Sequence, residues 1–397
     1  MRLSNLALAA LAALGVPLAA HAQLVAPAKS PKASLAGCAW TEIGRFPNLA
    51  PRGVAAGPDG SLFLAADDLT DAAHPMLVVL RQSAPGAAWE GVDRYRPTGV
   101  DSSGARALHV DADGNVFVLG WKTENDRQQL FLRRSLNGGL AGTWESGDET
   151  WPATPGGALG SDGSGRIYVA YGFADSGGIG WRVESALRGI GAFAPEDEVT
   201  FSGPFGAAPQ DFERKADGTL VVAGQLDGNP DEWVVRSRPT PRGNAAGVWR
   251  TIDRFELAPN SYGLAPRAIV ATSDGRLLVA GLGVRGGGQD DYQWLERWQN
   301  ARGKWKTVAY QLATGFNSFA QDAAATAAGV AVLGVGYTAA GATLVLRESS
   351  DGGSHWQNAL QLAGITDPWT ARLAVSAKSA AVAASLPGAA VVLGCNR

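Results

Sequence analysis

The stretch TSDGRLLVAG, Thr272 to Gly281, reads as a tight turn leading into a strand. Asp274-Gly275 supplies the turn, because glycine reaches the positive φ that short hairpins demand. The β-rich run after it supplies the strand, and an apolar strand precedes it. The phrase recurs as GPDGSLFLAA (Gly57–Ala66), DADGNVFVLG (Asp111–Gly120), DGSGRIYVAYG (Asp162–Gly172) and KADGTLVVAG (Lys215–Gly224). Weaker copies are ATAAGVAVLG (Ala325–Gly334) and SAKSAAVAA (Ser376–Ala384). The spacing is steady: Gly60 to Gly114 is 54 residues, Gly165 to Gly218 is 53, Gly218 to Gly275 is 57 and Gly275 to Gly329 is 54.

Each unit continues alike. After a polar loop comes a strand such as LFLRRS (Leu130–Ser135), EWVVRSR (Glu232–Arg238) or YQWLERW (Tyr292–Trp298). A turn follows, then a strand opening on Trp89, Trp144, Trp249, Trp305 or Trp356. Four strands per unit of about 50 residues is the signature of a propeller blade. No stretch shows sustained 3.6-residue periodicity, which excludes a helical solenoid. The count is seven units, the last one split. After Ser379 the chain supplies only AVVLGC and ends, whereas CAWTEIGRF (Cys38–Phe46) matches the outer strand GVWRTIDRF (Gly247–Phe255). The expectation is an all-β, seven-bladed β-propeller over residues 38–397, closed by pairing the N-terminal strand with the C-terminal blade. An open ring would leave exposed sheet edges. The two cysteines, Cys38 and Cys395, fall where other blades have their third-to-fourth-strand turn. In an oxidising compartment they should pair with each other.

The remaining composition sets the class. Arg2, an apolar run from Leu6 to Ala20 and the small-residue signal Ala20-His21-Ala22 read as a secretory signal peptide over 1–22. Gln23 to Gly37, rich in Ala, Pro and Ser, reads as a flexible leader. No later segment approaches the ~20 apolar residues of a membrane span. Net charge is −3 with 18% charged residues, so no basic footprint for nucleic acid exists. These features point to a secreted or periplasmic monomer.

The stretch SSDGGSHW, Ser349 to Trp356, resembles the Asp-box repeat of the sialidase and BNR-repeat propellers. Ser349, Asp351, Gly353 and Trp356 match its pattern, and His355 stands where threonine is usual. SLNGGLAGTW (Ser135–Trp144) and SAPGAAW (Ser83–Trp89) are remnants. The resemblance places this turn on the face opposite an active site, so its role is that of a fastener. It also implies that Arg52 binds a carboxylate and that Asp67 or Asp68 is an acid, with Arg267 and Arg372 completing a triad. Tyr262 with Glu256 would be the nucleophile pair. The departures are that Gly-Val follows Arg52 and that seven blades are counted where sialidases have six.

The repeat register itself singles out a site. Seven positions before each turn residue stand Arg52, Arg106, Gly157, Gln210, Arg267, Gln321 and Arg372. At the start of each innermost strand, these would ring the channel mouth. One reading is that each arginine pairs with an acid of a neighbouring blade. The other is an anion site, since arginine forks match carboxylates. Loops on that face carry acids: Asp67, Asp68, Asp71, Glu124, Asp126, Asp227, Asp231, Glu232, Asp290 and Asp291. They also carry Trp121, Phe173, Tyr262, Phe316, Phe319 and Trp369. The acids read equally as solvated loop charges.

After loss of His21 three histidines remain, His74, His109 and His355, and none has metal-ligand spacing. No cofactor or metal is expected. The functional expectation is a binding module for an acidic glycan or a protein partner. The alternative is a sialidase-like glycosidase, or a lyase on acidic sugar with His109 as base.

Overall fold

A computed structural model describes residues 34–152, 156–175, 178–201, 206–226, 231–240, 247–257, 263–284, 292–310, 317–377 and 379–396. Its 28 strands form seven four-stranded antiparallel sheets. Six blades are consecutive in sequence, with inner strands Leu49–Ala56, Ser102–Val110, Ala158–Ser161, Ala207–Arg214, Ala265–Ala271 and Ser318–Ala325. Blade 7 takes Asp367–Val375, Ser379–Leu386 and Ala389–Asn396 from the C-terminal end, and Thr41–Pro47 as its outer strand. The ring therefore closes as the repeat count required. Cys38 and Cys395 form a disulfide across this junction, with Cα atoms 5.9 Å apart.

Two devices hold blade to blade. The first explains the last glycine of the repeat phrase. Gly224 and Gly334 lie against Trp181 and Trp294, third-strand tryptophans of the preceding blades. A Cβ on Gly224 would lie 1.8 Å from Trp181 Cζ3, so only glycine admits the indole. Both rings are fully buried. The second device is a repeated bidentate ion pair. Arg133, Arg236 and Arg297 on third strands grip Asp93, Asp197 and Asp253 on the outer strand of the blade before. The fork geometry suits these buried carboxylates, and Ser146, Thr251 and Thr307 take a further donor of each arginine.

Two local readings are answered here. At SSDGGSHW, Asp351 Oδ1 accepts the peptide N–H groups of Ser354 and His355, both at 2.9 Å, and Ser349 Oγ accepts that of Gly353. These bonds hold the Asp351 carboxyl down at about 2. Trp356 packs on Trp298 of blade 5 with ring centroids 6.3 Å apart. The last residues of the leader expected over Gln23 to Gly37 are docked on the propeller. Leu35–Gly37 form a 3-10 turn capped by Ser34, and Leu35 is completely buried. Glu348 accepts the Leu35 N–H at 2.7 Å and the Ser34 hydroxyl, so this segment is sewn onto blade 6. Residues 1–33, including the expected signal peptide, lie outside the described residues.

Candidate functional site

The inner strands carry a recurring irregularity. The ladder to the second strand skips one residue between Pro51 and Gly53, Ala105 and Ala107, Pro209 and Asp211, Pro266 and Ala268, and Ala320 and Asp322. The skipped residues are Arg52, Arg106, Gln210, Arg267 and Gln321. A β-bulge frees one residue from the pleat and re-aims its side chain. Proline before three of the bulges fits, since it has no N–H for the ladder. In blade 7 the register breaks between Asp367 and Arg372. All six of these side chains, with Gly157, line one cavity of about 600 Å³ at the channel mouth. Trp121, Trp369, Asp67, Asp211, Glu213 and Asp322 line it too.

The arginines are not equivalent. Arg52 Nε donates to Asp67 Oδ2 at 2.8 Å, and Asp67 Oδ1 accepts the Ala105 N–H of blade 2. Burial nonetheless pushes the Asp67 carboxyl up, against the pull of Arg52. Arg372 donates through Nε to the Arg52 carbonyl at 2.7 Å, and through Nη1 to the carbonyls of Trp369 and Ala371. Arg267 lies over the Trp369 ring, 5.3 Å from its centroid, and its Nε is buried without an acceptor. Burial, with repulsion from Arg372 and Arg106, lowers Arg267 to about 10. Among the described residues, neither Arg267 nor Arg372 has a carboxylate within ion-pair distance.

The cavity acids face inward. Asp211 accepts the N–H of Phe212 and, across the blade boundary, that of Ile269. Asp322 does the same with Ala323 and Leu373. Both are enclosed by the ring of inner strands, and this burial raises them to about 7 and about 6. Glu213, half-buried, is raised to about 8 by desolvation and then by the neighbouring Asp211.

The other expected residues are scattered. Asp68 caps Thr70 and pairs with Arg94 at 2.7 Å, on the outside of blade 1. His109 lies on the inner strand of blade 2, bonded to Ser161 Oγ at 2.8 Å; burial lowers it to about 4 and keeps it neutral. Glu256 is exposed and does not line the cavity. Asp231 is buried and accepts the Gly263 N–H, while Phe173 is in the core. Asp71 and Glu124 are exposed and paired with His74 and Lys122. Glu232 pairs with Arg254 at 2.6 Å. Asp126 adopts the left-handed conformation, φ 60°, in a hairpin turn with Asn125. Phe319 stacks on Trp369 with centroids 4.4 Å apart. Tyr262, Phe316, Asp227, Asp290 and Asp291 lie outside the described residues. Asp211, Glu213 and Asp322 are the cavity residues that sequence reasoning missed; each follows a ring position by one or three residues.

No family model matches the chain, and no curated protein matches it. Solved structures share the fold. The polysaccharide lyase Uly1 superposes with TM-score 0.56 at 9% identity, over 87% of this chain and 89% of that one. A PL25 ulvan lyase bound to -[GlcA(1-4)Rha3S]- gives TM-score 0.55 at 11% identity, over 89% and 95%. A Hadza microbial sialidase gives only 0.47 at 16% identity, over 88% and 66%, too distant a likeness to weigh.

Proposed function

We propose that the channel mouth binds the anionic groups of an acidic glycan, with the propeller acting as a binding module outside the cytoplasm. One observation carries the reading. Four arginines converge on one cavity, and among the described residues two of them, Arg267 and Arg372, have no carboxylate within ion-pair distance. Confined like charges are costly unless a counter-charge arrives, and a bound oxyanion supplies one. Trp369, 37% exposed beside Arg267, offers apolar surface to a sugar ring. Titration of acidic and neutral oligosaccharides at low and high salt tests the proposal. Salt-weakened binding of the acidic ones supports it; absence of binding refutes it. The leader composition and the Cys38–Cys395 bond support an oxidising location, secreted or periplasmic. We take the working unit to be a monomer.

A second reading, a lyase or glycosidase on acidic sugar, has its own support. Asp211 and Glu213 carry carboxyls with proton affinities near neutral inside the arginine-lined cavity, as acid–base catalysis needs. The same fold carries polysaccharide lyases. Release of reducing or unsaturated sugar ends during the titration would establish turnover, and unchanged ligand would exclude it for that substrate.

A further inference from the structure

We infer that the anionic group is received by one wall of the mouth only, that of blades 5, 6 and 7, through Arg267, Gln321 and Arg372. Arg52 is framework. The inference rests on the binding function proposed above and names the part of the cavity that performs it. The ligand chemistry is an oxyanion, carboxylate or sulfate, carried on a sugar.

Arg52 already has a counter-charge within ion-pair distance, which Arg267 and Arg372 lack among the described residues. Its Nε holds Asp67, and its carbonyl holds Arg372. The wall of blades 5, 6 and 7 holds unanswered donors. None of the Arg267 nitrogens meets an acceptor among the described residues, and its Nε is buried. Gln321 is 5% exposed, lines the cavity, and its Nε2 also lacks an acceptor. Arg372 uses Nε and Nη1 on carbonyls and keeps Nη2. Among the described residues, the nearby carboxylates do not hydrogen-bond these donors. Oxygens of Asp211 and Asp322 are taken by peptide N–H groups of their own and the next blade. Trp369 ties the wall together, its ring under Arg267 and its carbonyl on Arg372. A buried donor without a partner is destabilising, so Arg267 Nε and Gln321 Nε2, with Arg372 Nη2 beside them, describe a place prepared for acceptor oxygens. Gln210 sits at the same register in blade 4, but it is half-exposed and its amide is not buried without an acceptor.

The test titrates the full chain with three probes: oligogalacturonate (carboxylate only), a sulfated galactan oligosaccharide (sulfate only) and the unsulfated galactan. Arg267→Met keeps length and apolar contact with Trp369, and should lower affinity for the anionic probe at least about tenfold. Gln321→Met should lower it by about threefold to tenfold, a neutral donor being weaker. Neither should lower the melting temperature, because each removes an unsatisfied buried donor. Gln210→Met should change affinity by less than about twofold. The probe that responds to Arg267→Met identifies the oxyanion. If Gln210→Met weakens binding as much as Gln321→Met, or if Arg267→Met leaves affinity intact, the one-wall assignment is overturned while glycan binding stands. Should the wild type bind neither anionic probe, both the inference and the proposed function are refuted.

Discussion

Replacing Asp93 by alanine removes the acid that clamps blade 1 to blade 2. Arg133 would lose bonds of 2.6 and 3.0 Å, in a pair where both side chains are 8% exposed. Breaking a buried pair on one side costs about 3–5 kcal/mol, because the remaining charge stays buried. Arg133 keeps its bond to Ser146 and its place 4.0 Å from the Tyr95 ring centroid, which favours the lower end, about 3 kcal/mol. For a chain of 397 residues, an unfolding entropy of about 2.1 cal/mol/K per residue converts that to a drop of roughly 4 °C. Removing both partners as Asp93→Leu with Arg133→Met should restore most of the loss, since an apolar pair of similar volume needs no counter-charge. Thermal and urea unfolding of the wild type, both single variants and the double variant give the coupling energy. A single-variant cost below about 1 kcal/mol, or a double variant as unstable as the singles combined, refutes the clamp.

Gly224→Ala should destabilise by about 1–3 kcal/mol or more in urea unfolding, because the new Cβ drives into Trp181; a neutral result would mean that the indole is free to move. Stability should fall as pH rises from about 5 to 8: Asp211 and Asp322 titrate higher in the fold, about 7 and 6, than the unfolded value of about 3.9, so the folded state holds more protons in that window and loses the advantage above it. Asp211→Asn with Asp322→Asn should flatten that alkaline limb, and an unchanged slope assigns it elsewhere. Thiol labelling of the unreduced protein should find no reactive cysteine. Cys38→Ser with Cys395→Ser should cost up to roughly 5 kcal/mol, the chain-entropy bound for so long a loop, and a cost near zero would show that strand pairing alone closes the ring.

Blade number, ring closure and the disulfide were legible because each follows from the repeat register, which a period-two strand pattern preserves through the chain. The arginine ring was legible for the same reason. The bulge that aims it was not, because skipping one residue leaves no mark in hydrophobic alternation. The signal was present in Pro51-Arg52, Pro209-Gln210 and Pro266-Arg267, where a residue without an N–H precedes the ring position. The partners of the acids at strand ends were not legible. Asp67 and Asp231 point inward to peptide N–H groups of the adjoining blade or loop, a choice that depends on three-dimensional neighbours and not on local composition. Leu35 was read with its Ala- and Pro-rich surroundings, yet one apolar side chain and the Glu348 acceptor suffice to dock that turn.

The central claim is that the mouth reads negative charge on a sugar. Calorimetric titration with a uronate oligosaccharide and with its methyl ester isolates that charge, since esterification removes it with little change of shape. The account predicts heat of binding for the acid at low salt, progressive loss as salt is raised, and no binding of the ester. Equal affinity for acid and ester, or none for either, would contradict it.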